Sequence, residues 1–177
     1  MEFYARAADF LDAFQADMQR DFHLIPNAEY GDRRFPLYAL YENEDTTSLI
    51  MKGGKSVRSY EFCYFDACEQ LDEAAVQSYC AVLDDMAARY VPWSHRSHGY
   101  SMLSMVVLVD GAPDRAVQKC IRKYKHEETR KREEDGFGWC SARLCIVDMS
   151  TGTCYANRHG RTLANRVRLT TKKLGGK

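Results

Sequence analysis

The sequence predicts an α/β (α+β) fold: a single layered domain with helices packed on a mixed sheet of about six strands, in the order α-β-β-β-α-β-α-β-β. Three observations carry this prediction. Segments 3–22 and 72–90 repeat apolar residues every three or four positions, the period of one helix face. The run YSMLSMVVLV at 100–109 is apolar on both faces, as a strand covered on both sides reads. Short, turn-rich breaks separate the other strand-like runs and suit antiparallel neighbours.

The elements follow in order. Residues 3–22 set Phe3, Ala7, Phe10, Leu11, Phe14 and Met18 on one stripe, with Asp9, Asp12, Gln15 and Asp17 on the remaining faces. Pro26, Asn27 and Gly31 then read as a loop. Three strand-like runs come next: FPLYALYE at 35–42, TTSLIMK at 46–52 and VRSYEFCYFD at 57–66, the last preceded by Gly53-Gly54. Their close spacing predicts an antiparallel meander. Asp72 is the candidate N-cap of the helix over 72–90, with Glu73 in its first turn. Val76, Tyr79, Cys80, Leu83, Met86, Ala87 and Tyr90 form its apolar stripe, and Pro92 stops it. The doubly apolar run 100–109 takes the centre of the sheet. Pro113 suits the first position of a helix running to about residue 126, with Val117, Cys120, Ile121 and Tyr124 facing inward. Segments 136–149 and 153–157 flank Ser150-Thr151-Gly152 and predict a β-hairpin. A short C-terminal helix completes one globular domain over 1–168, and 169–177 reads as a disordered basic tail.

Composition narrows the class. A chain of 177 residues suits one domain. No apolar run approaches the ~20 residues of a membrane span, and the acidic N-terminus lacks a secretory signal's basic start. A cytoplasmic protein with no membrane partner is the expectation. The seven cysteines include no CxxC pair and sit mostly in apolar runs, so they read as reduced, buried thiols. No metal and no cofactor is assigned. The net charge is zero but unevenly spread. Residues 1–100 carry nine Lys/Arg against seventeen Asp/Glu, and residues 101–177 carry sixteen against eight. Such asymmetry marks either an anionic partner for the second half or neutralisation between the halves.

Four constellations carry possible chemistry. His95 and His98 precede the central strand, but Pro92 and Gly99 make their segment a loop, and two histidines are too few for a zinc site. Arg115, Lys119, Arg122 and His126 form a cationic stripe opposite Val117, Ile121 and Tyr124, with Lys123 beside it. Such a stripe suits phosphates, although Glu127, Glu128, Glu133, Glu134 and Asp135 follow closely and also suit a solvated face. Arg158, Arg161, Arg166, Arg168, Lys172, Lys173 and Lys177 fall in a C-terminal block free of acids from 157 onward. Finally, the element order resembles the restriction-endonuclease-like core. In that fold an E-x-K on the third strand and an upstream acid hold Mg²⁺. Here Glu61-Phe62-Cys63 puts cysteine at the lysine position, so the signature fails.

The stretches YVPWSHRSHGYSMLSMVVLV, IRKYK and GFGWCSARLCIVDMSTGTCYANRHGR resemble the DUF8052 domain family of small bacterial and archaeal proteins. Pro92, His98, Lys123, Lys125, Gly138, Trp139, Arg143, Leu144, Val147, Asp148, Tyr155, Asn157 and Gly160 carry the likeness. The insert HEETRKREEDG is longer and more charged than that pattern. The resemblance implies a compact cytoplasmic domain and no particular activity.

Three functions remain open. The favoured one is a non-enzymatic binding protein whose basic face, built from Arg115, Lys119, Arg122, Lys123, Arg158 and Arg161, meets an anionic partner such as nucleic acid. The second is a divergent nuclease-like enzyme near Glu61, His95 and His98, with Arg143 and Asp148 as further catalytic candidates. The third is a homo-oligomer joined through exposed aromatics among the eleven tyrosines.

Overall fold

The structure, a computed structural model, describes residues 2–45, 56–131 and 136–175. Its elements are α1 (Glu2–Met18), β1 (His23–Tyr30), β2 (Arg33–Asp45), β3 (Val57–Cys68), α2 (Glu73–Arg89), β4 (His98–Val109), α3 (Arg115–Lys123), β5 (Glu127–Lys131), β6 (Phe137–Asp148), β7 (Cys154–Ala156) and α4 (Arg161–Gly175). The strands form one sheet in the order β1-β2-β3-β4-β6-β5, and β7 pairs with the second half of β6. β3, β4 and β6 run parallel, whereas β1–β2, β2–β3, β5–β6 and β6–β7 are antiparallel. The α+β single-domain architecture predicted above is the one observed.

Helices cover both faces. Val76, Tyr79, Leu83 and Met86 of α2 and Val117 and Ile121 of α3 pack with Leu103, Met105, Val107, Leu144 and Ile146. Phe3, Phe10 and Phe14 of α1 and Leu163 and Val167 of α4 pack on the other face with Cys63, Phe65, Val106, Leu108 and Cys145. Alternate residues of β4 and β6 thus enter opposite layers. That double burial explains why the central strand shows no polar period. The six residues predicted for the α1 stripe are all buried. Asp72 caps α2 as expected, accepting from the Ala75 amide at 2.7 Å.

Two strands stand where the sequence reads otherwise. Pro26 and Asn27 of the predicted loop belong to β1, where Pro26 pairs with Leu37 and Asn27 takes a φ of 51°. β1 is an edge strand, a setting where proline's missing donor leaves no gap in the ladder. Gly31, at a φ of 58°, and Asp32 make a two-residue turn into β2. The meander is therefore β1-β2-β3; the run 46–52 and Gly53-Gly54 lie outside the described residues. The charged insert also supplies β5, which pairs with the start of β6.

Two helix ends differ as well. α3 stops at Lys123, because Tyr124 is extended with a ψ of 129°. α4 continues through residues 169–175, where the sequence suggests a frayed tail. Leu163, Ala164, Val167 and Thr170 are buried on one side of it, and Lys173 meets Asp17 of α1 at 2.7 Å. Basic residues interleave with this apolar period and mask it in the sequence. No described helix is long and apolar enough to cross a membrane.

Candidate functional site

The connection between parallel β4 and β6 carries α3, and antiparallel β7 leads into α4, so that both helices border β7. Asp114 caps α3, accepting from the Val117 amide at 2.8 Å, and Val117 and Ile121 anchor its inner side. Arg115, Lys119, Arg122 and Lys123 are left in solvent. α4 buries Leu163, Ala164 and Val167, which turns Arg161 and Arg168 outward. Between the two helices runs a groove of about 410 Å³ lined by Gln118, Arg122, the three residues of β7, Arg161, Ala164, Asn165 and Arg168. Among the described residues, no carboxylate lines it. Arg122 and Arg168 lean on neutral amides, Gln118 at 3.5 Å and Asn165 at 3.2 Å, and so keep their charge uncompensated.

The floor of the groove adds backbone groups. Asn157 N donates to Leu144 O, and Asp148 N donates to Thr153 O. The alternation of an antiparallel ladder then turns the amides of Cys154 and Ala156 away from β6. The Cys154 thiol is shifted downward from its ordinary pKa: the hydrogen bond with Cys145 is the leading cause, burial opposes it, and the neighbouring Arg168 adds a smaller lowering.

One buried side chain holds this corner together. Asn157 is fully buried. Its Oδ1 accepts from Leu144 N at 3.0 Å and Gly160 N at 2.9 Å, and its Nδ2 donates to Ala142 O at 2.9 Å and Tyr124 O at 3.3 Å. The residue thus ties the end of α3, strand β6 and the start of α4 to one another. Gly160 must be glycine, since a Cβ there would lie 2.6 Å from the Leu144 carbonyl oxygen.

Among the catalytic candidates, His98 N donates to His95 O at 3.0 Å, and Glu61 and Arg143 meet through their side chains. They form an ion pair between β3 and β6, and Arg143 also donates to Ser104 Oγ on the intervening strand, from Nε at 2.9 Å and Nη2 at 2.7 Å. The carboxylate that a nuclease would offer to a metal is occupied by a guanidinium. His98 is buried in the layer that holds α2, bonded through Nε2 to Ser101 Oγ at 2.9 Å and edge-on to Trp93. A Cβ on Gly138 would lie 2.7 Å from His98 Nδ1, which accounts for that glycine. His95 is exposed beside Ser97. Asp148 sits in the β6–β7 turn and accepts from Ser150 N at 2.8 Å, Ser150 Oγ at 2.6 Å and Thr151 Oγ1 at 2.7 Å. Burial alone would raise its pKa, but these donors outweigh it and hold the carboxyl below its ordinary value.

Of the anion-binding candidates, Arg122 and Arg161 share the groove. Arg115, Lys119, Lys123 and Arg158 lie exposed, and none of the four forms an ion pair among the described residues. Arg168, Asn157 and the β7 edge complete the site. Sequence reasoning placed Arg168 in a basic block and Asn157 in a motif, without a shared location. For the oligomer hypothesis, which named the tyrosines, Tyr4 is exposed on α1; Phe137 and Trp139 are exposed on β6, with Tyr100 stacked on Trp139 at 5.1 Å.

The described residues thus form a single α+β domain with a seven-stranded mixed sheet between two helical layers. The family described as Domain of unknown function (DUF8052) matches residues 6–169, and the chain belongs to it. No curated protein and no solved structure matches the chain, so the likeness of element order to the restriction-endonuclease core gains no support.

Proposed function

We propose that the protein is a cytoplasmic, non-enzymatic binding protein of a bacterial or archaeal cell that holds a phosphate-bearing anion, a nucleic-acid backbone above all, in the groove between α3, β7 and α4. One observation carries this proposal: Arg122, Arg161 and Arg168 line a single depression that no described acid shares. Guanidinium groups bind phosphate oxygens in pairs and keep their charge at all physiological pH values. Arg115, Lys119, Lys123 and Arg158 extend the field beyond the groove. Other cations are neutralised internally: Arg130 by Glu128 at 2.6 Å, Lys125 by Glu127 at 3.5 Å and Lys173 by Asp17 at 2.7 Å. The cytoplasmic setting accords with seven cysteines that are all free thiols.

Fluorescence anisotropy with labelled single-stranded and duplex oligonucleotides tests this. Affinity should fall log-linearly with salt. Replacing Arg122, Arg161 and Arg168 by Gln should reduce the slope by about 0.7–0.9 for each phosphate that is no longer neutralised. A chain that retains no oligonucleotide at low salt, or whose slope is unchanged in the triple variant, refutes the proposal.

A further inference from the structure

We infer that His126, Glu128 and Cys140, none of which lines the arginine groove, form a binding site for a divalent transition metal of the zinc class, independent of the groove's function. The three side chains offer one nitrogen, one oxygen and one sulfur, and these atoms all lie within 4.8 Å of one another. Strand geometry brings them together. Residues 126 and 128 are two apart and so share one side of the β5 segment. Cys140 is the cross-strand partner of Glu128, and the Ala142 amide donates to His126 O at 2.9 Å, which continues the ladder past the end of β5.

The surroundings match what a metal-binding histidine needs. His126 Nδ1 lies 2.8 Å from the Asp84 carboxylate of α2, and Tyr124 OH donates to the same oxygen at 2.9 Å. A carboxylate on one ring nitrogen fixes the tautomer and leaves Nε2 to coordinate. Arg130 donates to Glu128 Oε1 at 2.6 Å, which leaves Oε2 available. Imidazole, carboxylate and thiolate together suit zinc rather than Mg²⁺ or Ca²⁺, which take oxygen ligands.

Binding requires two adjustments. A tetrahedral zinc with bonds of about 2.0–2.3 Å holds its ligands roughly 3.5 Å apart, so the side chains must close by about an ångström. The Cys140 proton must also leave. Burial, with the Glu128 charge adding to it, pushes that thiol up to about 11. The metal displaces the proton, so uptake releases H⁺ and strengthens as pH rises. Three protein ligands leave a fourth position for water or an outside donor. Through Asp84, the ion would join the β5–β6 edge to α2. No CxxC or HxxH spacing announces the site, because the ligands are adjacent only once β5 pairs with β6.

Titration of the chelator-treated full chain with Zn²⁺ and Co²⁺ tests the inference. The expected result is one equivalent bound, with a thiolate-to-cobalt charge-transfer band in the near ultraviolet. Cys140→Ser should abolish the band, and His126→Ala should weaken affinity about tenfold or more. Cys120→Ser, which removes a thiol bonded to Glu73 instead, should change neither. Absence of uptake by the folded wild type overturns the inference, as does a band that persists in Cys140→Ser. Should Cys140→Ser lose its fold by circular dichroism, folded His126→Ala with wild-type affinity overturns it equally. Oligonucleotide binding is measured separately, so either result leaves the groove proposal to its own test.

Discussion

Arg143 of β6 reaches across β4 to the carboxylate of Glu61 on β3, and Ser104 of the strand between them accepts from the same guanidinium. Both charges are largely withdrawn from water, with 7% and 14% of their side chains exposed. Removing one partner strands the other. Arg143→Met should therefore cost about 3–5 kcal/mol. Removing both should not, since an apolar pair of similar volume avoids desolvation altogether. In urea denaturation the double variant Glu61→Leu/Arg143→Met should recover most of the loss. Additive losses in the double variant would show that packing around each side chain, rather than the ion pair, is what matters.

Asn157 yields a second prediction. Alanine there removes the partner of the buried Leu144 amide, and an unsatisfied buried donor costs about 1–3 kcal/mol. Gly160 N keeps a bond to the Asn157 backbone carbonyl at 3.1 Å, so the loss should concentrate on β6. Hydrogen exchange checks this: the Leu144 amide should lose more protection than the amides of β3. Equal loss throughout the sheet would mean that Asn157 supports only global stability.

The pattern of what the sequence reveals has a physical basis. The stripes of α1 and α2 were legible because one side of each helix meets the sheet and the other meets water. β4 was legible because a strand covered on both faces shows no polar period, and residues 102–109 are apolar except for Ser104. β1 was hidden because an edge strand tolerates Pro26 and a left-handed Asn27. β5 was hidden because EETRK has no apolar face; it is held by the ladder to β6, with Arg130 over the Trp93 ring at 4.5 Å and Glu127 3.5 Å from His159. The site was half legible for the same reason. Arg122 and Arg161 each stand out in a basic segment, but their shared groove depends on β7, three residues long, bringing α3 beside α4. Glu61 and Arg143 lie 82 residues apart and meet only through the register of three strands.

Asp148 sets a pH dependence. Its folded pKa is depressed by the Ser150 and Thr151 donors, against the opposing effect of burial. A depressed carboxylate contributes stability above its unfolded pKa, about 3.9, and loses that contribution as pH falls through the lower folded value. Asp148→Asn should therefore be less stable than the wild type at pH 7, by on the order of 1–3 kcal/mol. The gap should stay constant down to about pH 5 and shrink below pH 4. Thermal melts of both chains between pH 3 and pH 7 measure it. A gap that widens on acidification would reverse the sign and exclude the turn as its source.

Inorganic phosphate offers the simplest probe of the groove. A ligand that binds only the folded chain adds RT ln(1 + [L]/Kd), about 1.4 kcal/mol at ten times its Kd. For a domain of this size that is a rise of roughly 3–6 °C in melting temperature. The triple variant Arg122→Gln, Arg161→Gln, Arg168→Gln should fold with nearly wild-type stability, because all three side chains are exposed and unpaired with described acids. It should nevertheless lose the phosphate-induced rise. Lys125→Gln removes one positive charge, paired with Glu127 at 3.5 Å, outside the groove. This variant should keep the rise, because general charge screening acts on every cation while a site acts through its own donors. A phosphate response that falls as far in Lys125→Gln as in the triple variant would locate the effect in the net charge of the chain and remove the groove from consideration.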